Sequence, residues 1–74
     1  MGKLPMLKSE EVLAALSKAG FQRVRQVGSH ILLKHTDGRA VTVPWHGQTD
    51  IGRGLLRKIL RDVEMSLEEF LTLL

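Results

Sequence analysis

His30 is the residue around which chemistry can be built in this chain. It follows a Gly28-Ser29 turn and opens the apolar run Ile31-Leu32-Leu33. An imidazole in an ordinary setting titrates at about 6.5, so histidine can take or give a proton near neutral pH. Arginine and lysine stabilise charge on a phosphate. RNA can be cut with these parts alone: a base for the 2′-OH proton, a donor for the leaving oxygen, and cations for the phosphate. Arg23, Arg25 and Lys34 stand around His30, with Ser29 beside it, and no other stretch concentrates such a set. Most single strand histidines are plain surface residues, so the elements around His30 must decide whether the cations share its face.

Two further histidines are weaker candidates. His35 falls at a strand end beside a turn and reads as structural. His46 follows Pro44-Trp45 and could reach round as a second proton group. Trp45 could stack on a base, although packing against a helix start explains it equally well. Nothing else competes as an active site: there is no P-loop, no G-x-S-x-G elbow and no carboxylate pair near a histidine.

The elements that position His30 can be read from periodicity. Ser9 is placed to cap a first helix, with Glu10 and Glu11 near its positive end. Val12, Leu13, Leu16 and Ala19 recur at helical spacing and Gly20 is the stop. Gln22–Val27 alternates as a strand, and Gly28-Ser29 suits a two-residue type II′ loop with glycine first. That loop pairs Val27 with His30, Arg25 with Leu32 and Val24 with Leu33. The next turn is ambiguous between Asp37-Gly38 and Thr36-Asp37-Gly38. A one-residue slip exchanges the faces of a strand, and only the three-residue loop pairs Leu33 with Val41 and Ile31 with Val43. In that register the buried face carries Val24, Ile31, Leu33, Val41 and Val43. The open face carries Arg23, Arg25, Val27, His30, Leu32, Lys34, Ala40 and Thr42.

A further helix is expected over about 50–63, with Ile51, Leu55, Leu56, Ile59, Leu60 and Val63 inward. Gly52 and Gly54 weaken its first turn. Arg53, Arg57 and Arg61 form an outward stripe, read as a solvated face first and a backbone-binding surface second. Ser66 with Glu69 makes a capping box for a short last helix, whose Leu67, Phe70, Leu71, Leu73 and Leu74 are expected to finish the core, with a subunit contact as the alternative use. The expected class is α+β in the order α-β-β-β-α. Three antiparallel strands form the sheet, helices cover one face, and a short C-terminal helix follows.

Length and composition bound the rest. Seventy-four residues make one domain at most, taken as 1–74, near the lower limit for a self-sufficient core. There is no cysteine, and three histidines without ligand spacing argue against zinc, so no metal or cofactor is expected. No apolar stretch approaches the twenty or so residues of a membrane span. The N-terminus resembles neither a myristoylation nor a secretory signal, so the expected compartment is the cytoplasm. The net charge of +3 is unevenly spread: residues 18–61 carry nine basic side chains against Asp37 and Asp50, whereas Asp62, Glu64, Glu68 and Glu69 make the tail acidic. A basic middle with an acidic tail suggests a surface for a polyanion. On residues alone, this is a small basic domain that could bind nucleic acid.

At Gly20-Phe21, Gly28-Ser29-His30, Asp37-Gly38-Arg39 and Val43-Pro44-Trp45-His46, and on through Ile51, Gly54 and 56–60, the sequence resembles the HicA family of toxin–antitoxin endoribonucleases. The resemblance covers about residues 6–63 and implies a fold like double-stranded-RNA-binding domains. It also implies an mRNA interferase whose catalytic residue is His30, and a HicB-type antitoxin that covers the active surface. His46 matches a histidine found in many members; nothing is implied for 66–74. The expected activity is therefore metal-independent cleavage of mRNA by a toxin that an antitoxin neutralises. The alternative is a non-catalytic RNA-binding module.

Overall fold

The computed structural model describes residues 6–45 and 49–74. Its elements are β1 (Leu7–Lys8), α1 (Ser9–Lys18), β2 (Gln22–Val27), β3 (His30–Lys34), β4 (Ala40–Pro44), β5 (Asp50–Ile51), α2 (Arg53–Asp62) and α3 (Leu67–Leu71). Strands β2-β3-β4 form a three-stranded antiparallel sheet in chain order. Helices precede and follow it, so the class is α+β with a short C-terminal helix.

Both turns adopt the conformations that their residues favour. Gly28 has φ +58° and Ser29 has no positive φ, which fits type II′ rather than type I′. Gly38 takes φ +100°. The His35 N–H donates to the Arg39 carbonyl at 2.9 Å, which leaves a three-residue loop over 36–38. Leu33 then pairs with Val41 and Ile31 with Val43, and all four are buried.

The core lies between this face and the helices. Val12, Leu13, Ala15 and Leu16 of α1 meet Leu56, Ile59 and Leu60 of α2 and the four inward strand residues. Helix α1 ends in a Schellman motif: Gly20, at φ +101°, donates to the Ser17 carbonyl and Phe21 to that of Leu16. A Cβ on Gly20 would come within 2.9 Å of the His35 ring nitrogen Nε2, so both backbone and packing call for glycine there.

Three details differ from the sequence reading. Ser9 is the first helical residue and not the cap; it is fully buried, and its N–H donates to the Thr49 carbonyl at 2.8 Å. Glu11 instead accepts the Lys8 N–H at 2.9 Å. Second, Asp50 and Ile51 are not helical. They pair with Lys8 and Leu7 in a two-stranded ribbon, and α2 begins at Arg53 after Gly52. Third, a bulge between Arg23 and Arg25 shifts the register by one, so Arg23 lies opposite Leu33. Val24 is the extra residue and is 51% exposed rather than buried.

Helix α3 contributes more than its length suggests. Ser66 and Glu69 form the expected capping box, and Phe70 is fully buried in the core, with Leu67 and Leu73 packed at its edge. Leu71 and Leu74, expected in the core, are exposed instead because they lie on the side of this C-terminal segment turned away from it. Removing a buried phenyl ring costs about 3–5 kcal/mol, a large share of the roughly 5–15 kcal/mol that holds a small domain together. Phe70→Ala is therefore expected to lower the urea midpoint sharply. A loss below about 1 kcal/mol would show that α3 is an appendage.

A cationic open sheet face as candidate functional site

The backbone of His30 is held from both sides. Its Cα partners are Val27 on β2 and Pro44 on β4. The turn before it is closed by the Gln26 side-chain amide, which donates to the Gly28 carbonyl at 3.0 Å. The Ser29 carbonyl accepts the N–H of Trp45. The imidazole itself is exposed and has no hydrogen-bond or ion-pair partner among the described residues. A fixed backbone carrying an uncommitted side chain suits a group that must meet an incoming ligand.

Alternation along the strands puts Leu32 and Lys34 on the face of His30, with Arg25 opposite Leu32. Arg25 is thus a diagonal neighbour of His30, at about 7–8 Å between backbones. Lys34 stands about 13 Å along the strand. Arg25 and Lys34 are exposed and have no ion-pair partner among the described residues. Val27 is 62% exposed beside them, and Leu32 is half-buried. His30, Arg25, Val27 and Lys34 are all exposed across this face. The groove of about 600 Å³ lined by Asp37, Arg39, Ala40, Asp62 and Glu64 sits at the far end of the hairpin.

Arg23 requires a correction. The bulge puts it across from inward-facing Leu33, and it lines a groove with Glu10, Ala14, Ser17 and Phe21 of the α1 side. It does not share the face of His30. Ser29, expected beside the histidine, is half-buried in the turn. His46 lies outside the described residues. Trp45 is packed against the core, so it is a wedge under the end of β4 before it is a stacking platform.

His35 and Arg39 brace the far turn. The His35 ring meets Phe21 edge-on with centroids 5.1 Å apart, and the Arg39 guanidinium lies 5.1 Å from the Phe21 ring centre. Arg39 also pairs with Asp37 at 2.7 Å and donates to the Val63 carbonyl at the end of α2, where a cation is favoured. Sequence reasoning missed this clamp, whose one local sign is the Asp-Gly-Arg turn. The Arg39 N–H, then its guanidinium, hold the Asp37 carboxyl below its ordinary value. A carboxyl whose folded pKa is lowered stabilises the fold above its unfolded pKa of about 3.9 and loses that contribution as pH falls through the folded value. Asp37→Asn is therefore expected to flatten the loss of thermal stability below about pH 4, and an unchanged acid slope would assign it to other carboxylates.

No three histidine or carboxylate side chains among the described residues converge to hold a metal ion. No helix among them is long and apolar enough to cross a membrane.

Among the described residues, this small α+β domain presents a cationic sheet face with one histidine, His30, that has no partner. The chain matches the family model described as "HicA toxin of bacterial toxin-antitoxin" over residues 9–65. It belongs to the HicA toxin family, which makes it the toxin of a toxin–antitoxin pair with a cognate antitoxin as partner. A search of curated proteins returned no match.

Proposed function

We propose that this toxin is a metal-independent endoribonuclease that cuts mRNA, with His30 as its acid–base group. The observation that carries this reading is the exposed imidazole of His30, without a partner among the described residues, beside Arg25 on the sheet face away from the core. In the proposed reaction His30 removes the proton from a ribose 2′-OH. The 2′ oxygen attacks the adjacent phosphorus, and the bond to the 5′ oxygen of the next nucleotide breaks. That oxygen leaves after gaining a proton. The products are a 2′,3′-cyclic phosphate and a 5′-OH end, and no metal or cofactor takes part.

Arg25 would hold the reacting phosphate and Lys34 one further along the strand, with charge stabilisation growing as the phosphorus becomes five-coordinate. Ser29 supplies a hydroxyl next to the same phosphate. Arg23, displaced by the bulge, is assigned a distal contact at most. His46 is the candidate donor for the leaving oxygen. Cations spread along the strand suit a polymer that passes across them, each holding a different phosphate.

The antitoxin is taken to be HicB-like and to cover this same face, which offers Val27 and Leu32 as apolar contacts between the cations. The cytoplasm, where mRNA is found, is the compartment in which such a toxin acts. Incubating purified protein with RNA in EDTA tests the reading. Cleavage with cyclic-phosphate ends is the expected result. Salt-sensitive RNA binding with no cleavage would overturn it in favour of a non-catalytic RNA-binding module.

A further inference from the structure

The positive charge of this domain is not confined to the sheet. Helix α2 carries Arg53, Arg57 and Arg61 at successive turns, all exposed, with Lys58 beside them. Among these, Lys58 is neutralised by Asp62 four residues on, at 2.9 Å. Arg57 and Arg61 have no hydrogen-bond or ion-pair partner among the described residues. Like charges four apart on a helix disfavour it, and a face that only had to be soluble would interleave acids. Here the acids are gathered instead in the segment after the stripe, at Asp62, Glu64, Glu68 and Glu69.

The stripe also has a definite orientation. Pro44 pairs with His30, and the Trp45 N–H donates to the Ser29 carbonyl, so the chain leaves the sheet at its His30 end before α2 starts. The other end of α2 meets Arg39 from the distant turn through the Val63 carbonyl. Helix α2 packs on the buried face of the sheet with its C-terminal end at that distant turn, so its outward stripe lies on the other side of the domain from His30, and a strand passing from one to the other must round the edge of the sheet.

We propose that Arg53, Arg57 and Arg61 form a second track for the RNA backbone, taking the strand after it leaves the sheet face at His30. The inference rests on the nuclease reading for its substrate. Arginines one helical turn apart, with Cβ atoms about 5–6 Å from one another, are spaced to meet successive phosphates of an extended single strand and not a single bound anion. A protein partner fits this surface poorly. Interface centres combine arginine with aromatic or apolar anchors; the stripe supplies only the arginine, because the large exposed hydrophobic residues, Met6, Val24, Val27, Leu71 and Leu74, all lie off α2. The substrate is therefore single-stranded RNA that extends several nucleotides to one side of the cut, and short fragments bind less well because they reach the sheet alone.

The test is binding of labelled single-stranded RNA, one long and one only a few nucleotides in length, to the His30→Ala protein with and without Arg57→Gln and Arg61→Gln. The neutral replacements keep helix propensity, and circular dichroism checks the fold. Losing two phosphate contacts should lower the salt slope for the long RNA by about 1.4 and raise its Kd about tenfold, leaving the short one unchanged. Equal effects on both lengths, or none, would overturn the track. Loss of antitoxin binding with RNA binding intact would overturn it too and give the stripe to the partner. Wild-type protein that binds long RNA through the stripe but leaves it uncut would overturn the nuclease reading alone.

Discussion

His30→Ala is expected to cut RNA about 10²–10⁴-fold more slowly than the parent protein, the range that a positioned acid–base group contributes, while folding as well as before. Both halves follow from the register. His30 faces outward opposite Val27 and Pro44, its side chain is exposed, and the buried neighbours in the core are Ile31 and Leu33. Exposed side chains without partners change stability by within about 0.5 kcal/mol when replaced, a shift of roughly 2–4 °C in Tm for a domain of this size. Growth inhibition on induction should disappear with the activity. His35→Ala supplies the contrast. That ring packs on Phe21 and sits over Gly20, so its loss should lower Tm and leave per-molecule cleavage by the folded fraction intact. A folded His30→Ala protein that still cuts at the parent rate would remove His30 from the chemistry.

The second large effect concerns the face as a whole. Arg25→Glu with Lys34→Glu should weaken RNA binding and antitoxin binding together, because substrate and inhibitor are proposed to compete for one cationic surface. Association with the antitoxin is expected to slow by about tenfold or more at low ionic strength and to converge with the parent at high salt. Charge reversal at Arg23 is the internal comparison. The bulge turns that residue toward the α1 side, so Arg23→Glu should have the smaller effect on both partners. Val12 and Leu16 are fully buried on the inner side of the first helix and should gain no protection from exchange when the partner binds. An exchange map with the partner only on the helical side, and the His30 face left open, would require inhibition through a change of shape.

Whatever depends on local chemistry could be read from the residues before any contact was known. Glycine at position 28, then at 38, selects two turn geometries, and each turn sets which residues pair across it. The demand that Ile31, Leu33, Val41 and Val43 be buried together chose between the two loops at 36–38. Those choices put His30, Leu32 and Lys34 on the opposite face from the core without any knowledge of the helices. The capping box at Ser66 and Glu69 was legible for the same reason, since both partners lie within one turn.

Features that depend on contacts between distant segments leave no such local mark. Period-two alternation carries no mark of an inserted residue, so the bulge that exposes Val24 and turns Arg23 away could not be read from Gln22–Val27. Two-residue strands are too short to have a period, and the β1–β5 ribbon exists because Leu7 and Ile51 are buried side by side with Lys8 paired to Asp50. The Arg39 clamp joins a turn to a helix end 24 residues away. Each of these is set by where a backbone hydrogen bond or a buried side chain finds its partner, and that partner is distant in the chain.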